Sequence, residues 1–440
     1  MELGLGGAEE KTPVTKQRMF FAGTMEKVKG NAIGSVKMVK KIGEDDPRRI
    51  LHSLKVGLAL TVVSLFYYVN PLYESFGVNA MWAILTVVVV MEYTVGATLS
   101  KGLNRAFGTL VAGALGLGAH YLADLSGPKG EPIILGLLVF ILAAAATFSR
   151  FIPEIKARFD YGAMIFILTF SLVAISSYRV DELIALAHQR LATIAIGGVT
   201  CMFISIFLFP VWAGEDLHKL AANNLDKLAA YLEGLAVEHF GAKAGPGNGP
   251  GVVTKPFLQA HKAVLNSKVI EETLANLARW EPGHSRFGFR HPWKQYLKVG
   301  AHARQCAYYI EALNAHFARL GERHMCSVSA KLLKEMAACV RKNTQPSAPA
   351  HGHAVAVGAA VDDMKNAVRE NGDALDVILV APVVSLLSEI VTCTMNVAKS
   401  VEELARLAEF RRIDEVHHHR STVQPITEPE DARHVINVGE

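Results

Sequence analysis

Six stretches in the first 211 residues are each long and apolar enough to approach the length of a bilayer's hydrocarbon core: Leu51 to Val69, Met81 to Leu99, Ala106 to Leu125, Pro132 to Phe148, Tyr161 to Ser176 and Leu191 to Val211. A segment in lipid must satisfy its backbone polar groups internally, so runs of this kind become helices. The first half of the chain therefore reads as a membrane bundle of six spans. The composition agrees, with 51% apolar residues and only 20% charged ones among 440. Nearly everything after Trp212 is polar with helical periodicity, which predicts an all-α protein whose second half is a helical bundle outside the membrane. The expected divisions are a mobile arm over residues 1–45, a membrane domain over 46–212, a helical domain over 213–411 and a disordered tail over 412–440.

The charges are sorted by topology. Lys27, Lys29, Lys37, Lys40, Lys41, Arg48 and Arg49 precede the first span, and Arg150, Lys156 and Arg158 fill the turn between the fourth and fifth. The positive-inside rule assigns both groups to the cytosol, and six spans then return the second half to the same side. A net charge of +4 that is not pooled in one patch is too small to argue for nucleic acid, and no such partner is expected. The five cysteines include no CxxC pair and lie in the last span or the cytosolic half, so reduced thiols are expected. The first thirty residues hold no apolar run of the signal-peptide kind, and the first span itself would direct insertion. The sequence has no Walker A loop, HExxH or GxSxG, and the Gly-rich linker after Gly241 lacks the preceding strand of a phosphate loop. Channels, carriers and structural membrane proteins are left, with no enzyme and no cofactor expected.

Ionisable groups at membrane depth are costly and normally face a bundle interior or a water-filled path. Lys101 and Arg105 stand four residues apart between the second and third spans, on one face of a helix, and Arg190 opens the sixth. If all three face one cavity, both of its mouths are positive, which is how pores select anions. Their alternative role is as interfacial anchors, although positive charge at the outer end of a span, as at Arg190, has no topological reason. Glu92 lies near the middle of the second span and reads either as a brace for neighbouring helices or as a proton-coupling carboxylate. Lys55, one turn inside the first span, either snorkels to the interface or lines the inner mouth. Gly108, Ala112 and Gly116 form a small-residue stripe for close helix approach, and Asp45, Asp46 and Pro47 signal a helix start.

In the second half, helical patterns run over about Gly214 to Phe240, Phe257 to Trp280, Trp293 to Leu320, Ser327 to Lys342 and Ala354 to Arg411. Ala374 to Val397 is apolar enough to resemble a seventh span, but Asp376, Glu389 and Pro382 favour a buried bundle helix. Glu271, Glu272 and Glu281 are either a regulatory cation site or a solvated face. His417, His418 and His419 in the tail carry no assigned role.

Four motifs carry a family resemblance: MWAILTVVVVMEYTVGATLSKGLNR (Met81 to Arg105), EDDPRRILHSLKVGLAL (Glu44 to Leu60), FLFPVWAGEDLHKLA (Phe207 to Ala221), and ARWEPGH followed by FRHPW between Ala278 and Trp293. Taken in their order along the chain they resemble the plant aluminium-activated malate transporter family, from about Asp45 to the end of the helical half. The resemblance implies a homodimeric anion channel with six short spans per subunit, a cytosolic helical domain and a permeation path shared between subunits. It implies malate efflux, with nitrate or chloride as further anions, through the plasma membrane, the tonoplast being the other membrane to consider. The runner-up activity is a proton-coupled organic-acid carrier. Arg105 and Arg190 match positions presented to the anion. Asp181, with its neighbour Glu182, and Glu74 match an external acidic cluster held to sense trivalent aluminium, but Ala185 replaces the acid four residues beyond Asp181. FLFPVWAGED resembles a stretch linked to inhibition by 4-aminobutyrate.

Overall fold

The computed structural model describes residues 34–68, 81–177, 183–240, 256–284, 287–288, 291–316, 323–346 and 374–411, with a few isolated positions between 352 and 366. All named elements among these residues are helices, and no strand occurs among them. The chain divides into two compact units, Met1–Val211 and Trp212–Glu440.

A helical stretch over residues 34–45 leads into the first unit, followed by α1 (Arg48–Tyr68), α2 (Met81–Val90), α3 (Val95–Asp124), α4 (Gly127–Ser149), α5 (Pro153–Ser177) and α6 (Leu183–Phe207). Among the described residues α3, α4 and residues Pro153–Ile175 of α5 are long and apolar enough to cross a membrane, while α2 and Leu191–Phe207 are shorter apolar helices. At the start of α1, the Asp46 carboxylate accepts from the Arg48 N–H at 3.1 Å, and Pro47 precedes that residue as the sequence signal predicts.

The expected continuous span from Met81 to Leu99 is corrected. The helix stops at Val90, residues 91–94 are non-helical, and α3 begins at Val95 and runs straight through the position where a third span was expected to start. Thr94 is the physical cause. Its backbone is extended (φ −103°, ψ 151°) and its hydroxyl accepts from the Ala97 N–H at 3.2 Å, so a new helix starts inside an apolar run. The groups freed by the break are satisfied locally: Thr98 Oγ1 lies 3.1 Å from the Glu92 N–H and 3.2 Å from its carbonyl. The Val95 N–H donates to the Val211 carbonyl at 2.9 Å.

Two apolar clusters hold this unit. One joins α1, α2 and α6 through Ala59, Val63, Ala83, Val87, Cys201 and Ile204. The other joins α3, α4 and α5 through Ala112, Ala119, Leu135, Phe170 and Ala174. The small-residue stripe is where α5 seats against α3. A Cβ added at Gly108 would lie 2.7 Å from the Gly162 carbonyl oxygen, and one at Gly116 would lie 2.6 Å from the Val173 side chain. Many large apolar side chains, Phe107, Tyr121, Phe140 and Phe203 among them, stay exposed, as a surface facing lipid requires. Lys55 is buried in α1 and donates to the Phe209 carbonyl at 2.7 Å, on a residue with φ +42°.

The second unit contains α7 (Ala213–Phe240), α8 (Pro256–Leu265), α9 (Lys268–Ala278), α10 (Trp293–His316), α11 (Arg323–Lys342) and α12 (Ala374–Leu407). One core unites them, centred on Leu217, Leu225, Tyr231, Ile310, Leu332 and Val397. The candidate seventh span belongs to α12, whose Leu387, Ile390, Cys393 and Val397 are buried in that core. The single helix expected over Phe257 to Trp280 is two helices, divided at Asn266 and Ser267.

Candidate anion site

The i,i+4 cations lie in the first three turns of α3, and the tertiary fold gives them a common neighbour. Arg105, only 4% exposed, donates from Nη1 to the Tyr161 hydroxyl at 3.3 Å. The Lys101 ammonium stands 5.7 Å from the centroid of the same Tyr161 ring, within cation–π range. Lys101 also forms an ion pair with the Glu92 carboxylate, which lies in the helix break and not in the middle of a continuous helix. Beside them Asn104 donates to the Arg158 carbonyl at 2.9 Å, tying α3 to the start of α5.

A buried guanidinium is expensive unless it meets anions or several acceptors. Arg105 has the Tyr161 hydroxyl, while its Nε has no hydrogen-bond partner among the described residues, and neither does the buried Thr109 hydroxyl one turn further on. Both side chains line a groove of about 350 Å³ whose other walls are almost wholly apolar, built from α3, α5, Trp82 of α2 and Leu191 and Ile194 of α6. The site therefore offers unspent positive hydrogen-bonding capacity in a low-dielectric setting, where a donor's attraction for an anion is strongest. Tyr161 had no sequence signal, being 56 residues from Arg105. The groove stripe Arg105, Thr109, Gly113 and Leu117 was legible as four-residue spacing.

Tyr93, in the break, anchors it to the start of α1. Its hydroxyl donates to Asp46 at 2.8 Å, its ring meets His52 edge-on at 5.7 Å, and Arg48 lies 6.0 Å over it. That hydroxyl, aided by Arg48 and opposed by desolvation, holds the Asp46 carboxyl below the usual carboxylate range.

Arg190 falls in α6, but its side chain is outside the described residues, as are Glu74, Asp181 and Glu182. In the second unit Glu271 and Glu281 enter separate networks. Buried Glu271 pairs with Arg304 and lies 2.7 Å from the Ser267 hydroxyl and 3.2 Å from the Asn224 amide nitrogen. Glu281 accepts from the N–H groups of Ala213 (2.6 Å) and Gly214 (3.0 Å), so its carboxylate caps α7 at the positive end of the helix dipole. Glu272 is exposed. Among the described residues no group of three or more His, Cys, Asp or Glu side chains is arranged to hold a metal ion. Near Glu281 a cavity of about 520 Å³ is bordered by Arg279, His284, Phe287, His291 and Lys294.

The sequence profile of the family described as Aluminium activated malate transporter matches residues 40–375. This chain belongs to that family. Among its relatives, Aluminum-activated malate transporter 1 of Triticum aestivum is 51% identical over 402 residues, covering 86% of this chain and 87% of the relative. Aluminum-activated malate transporter 2 of Arabidopsis thaliana is 49% identical over 393 residues, covering 86% and 78% respectively. Aluminum-activated malate transporter 7 of Arabidopsis thaliana is 45% identical over 419 residues, covering 86% and 83%. In this member of the aluminium-activated malate transporter family, the buried Arg105 and its apolar groove belong to the unit that holds all the apolar helices long enough to span among the described residues.

Proposed function

We propose that this protein is a dimeric anion channel with six spans per subunit, passing malate and smaller inorganic anions out of the cell through the plasma membrane. The observation that carries the reading is Arg105: a buried cation, incompletely hydrogen-bonded, beside Lys101 and open to a groove. Names of relatives at 45–51% identity support malate as the substrate. A potential of about 100 mV, inside negative, favours exit by roughly 2.3 kcal/mol per charge, so a dianion needs no coupled energy source. The carboxylates of malate would take up the guanidinium's unmet donors while Arg190 attracts the anion at the outer mouth. Glu92 holds Lys101 in place and moderates its charge, so the anion is not trapped. External trivalent aluminium acts as an activator through Asp181, Glu182 and Glu74.

Whole-cell recording with malate inside tests this reading. Arg105→Ala and Arg190→Ala are expected to cut the malate current at least fivefold at equal surface expression, and normal currents in both would sink it. A reversal potential that shifts with the proton gradient would favour the proton-coupled carrier instead. Adding and withdrawing external aluminium in the same cells tests the activator.

A further inference from the structure

Arg105, Thr109, Gly113 and Leu117 succeed each other at four-residue intervals along α3, and all four line the groove. Its polar end holds the two side chains with unmet hydrogen-bonding capacity, Arg105 Nε and Thr109 Oγ1. Beyond them the wall is glycine and leucine, faced by Leu168 and Leu172 of α5. Twelve residues of helix separate Arg105 from Leu117, about 18 Å at the helical rise. The groove is therefore a narrow apolar trough with a cationic end, an arrangement that suits one chain and one acidic head.

From this geometry we infer that the groove binds a single-chain carboxylate amphiphile, a long-chain fatty-acid anion, with its head on Arg105 and Thr109 and its chain along Gly113 and Leu117. The carboxylate supplies an acceptor that Tyr161 alone does not, through a charge-assisted hydrogen bond to the groove-lining guanidinium. The chain replaces other apolar contacts along the trough. The groove's volume of about 350 Å³ fits one chain better than the two of a phospholipid. One consequence rests on the proposed function: a bound fatty acid takes the guanidinium from the permeating anion and blocks the malate current.

Trp82 lines the groove and reports on it directly. The other tryptophans, Trp212, Trp280 and Trp293, belong to the second unit. The full-length protein in phosphatidylcholine vesicles is titrated with a chain-brominated fatty acid at alkaline pH, and the fluorescence lost relative to Trp82→Phe is followed. Saturable quenching is expected, with affinity at least tenfold lower in Arg105→Gln and no such loss for the brominated methyl ester. A Cβ at Gly113 meets nothing within 4 Å, so Gly113→Leu fills the trough without displacing a neighbour; it is expected to abolish the saturable component while the circular dichroism stays unchanged.

Equal quenching by brominated phosphatidylcholine at the same mole fraction would mean bulk lipid contact and overturn the proposal. So would quenching that survives Gly113→Leu, or no quenching at all because a second copy of the chain covers the groove. A fatty acid that quenches Trp82 saturably yet leaves the malate current untouched keeps the site and sinks the reading of Arg105 as the permeating anion's contact. A malate current dependent on Arg105 without saturable quenching does the reverse.

Discussion

At Arg105 the buried charge has one neutral acceptor, whereas Glu271 and Glu281 are each met by two or more donors. Satisfied buried charges fix structure, and an under-satisfied one invites a ligand. His291, in the second unit, shows a different cost. Burial, with His218 and His284 nearby, pushes its pKa down to about 4. Since the unfolded value is near 6.5, the unfolded chain binds the extra proton first as pH falls. The stability that neutral His291 contributes is complete above pH 6.5 and is lost between 6.5 and 4, at up to about 1.4 kcal/mol per pH unit. His291→Phe keeps a ring against Phe287 and Trp293, so its melting temperature should fall less steeply over that window than the wild type's. Equal slopes in scanning calorimetry of the detergent-solubilised protein would refute this account.

The decisive element is the interruption between α2 and α3. Helix termini present unpaired N–H groups, and a break in an apolar run is tolerable only where side chains and neighbouring backbone satisfy them. Thr94, Thr98 and Val211 do so here. The α3–α5 contact is the other element-scale feature, and its glycines differ in a testable way. Gly108 lies against the backbone of α5, whereas Gly113 opens onto the groove. Gly108→Ala must push α5 outward and should cost about 1–3 kcal/mol, as overpacking does. Gly113→Ala should instead be neutral or stabilise by up to about 1 kcal/mol through helix propensity. Thermal unfolding in detergent, followed by circular dichroism, separates the two. A Gly108→Ala melt no lower than that of Gly113→Ala would count against the packing described.

On the scale of the whole molecule, the core of the second unit is drawn entirely from residues between Leu217 and Phe410. A fragment covering residues 212–411 should therefore be soluble, helical and cooperative in urea. Its Cys306, Cys339 and Cys393 are buried thiols outside any disulfide, so a thiol reagent should label them only as the fragment unfolds. Labelling of these three at the rate of exposed thiols in native buffer would show that the core does not form alone.

Much of this was readable beforehand. Helical periodicity announced the all-α class, α1 lies within three residues of the apolar run that predicted it, α4 to α6 overlap theirs but start five to eight residues earlier, and the Gly108, Ala112, Gly116 stripe marked a close helix contact. The break at residues 91–94 was hidden because a length-and-hydropathy criterion averages over one threonine cap. The partners of the charged residues were hidden for another reason. Spacing along a helix fixes which side chains share a face, so Lys101 and Arg105 could be paired from sequence. What that face meets depends on α5, which returns Tyr161 from 56 residues away, and on the packing of α2 and α6, which leaves a groove beside it. Local periodicity is a property of neighbours in the chain, and the sequence determines it alone; burial, pairing and cavity shape arise between distant segments, and only the tertiary structure decided them.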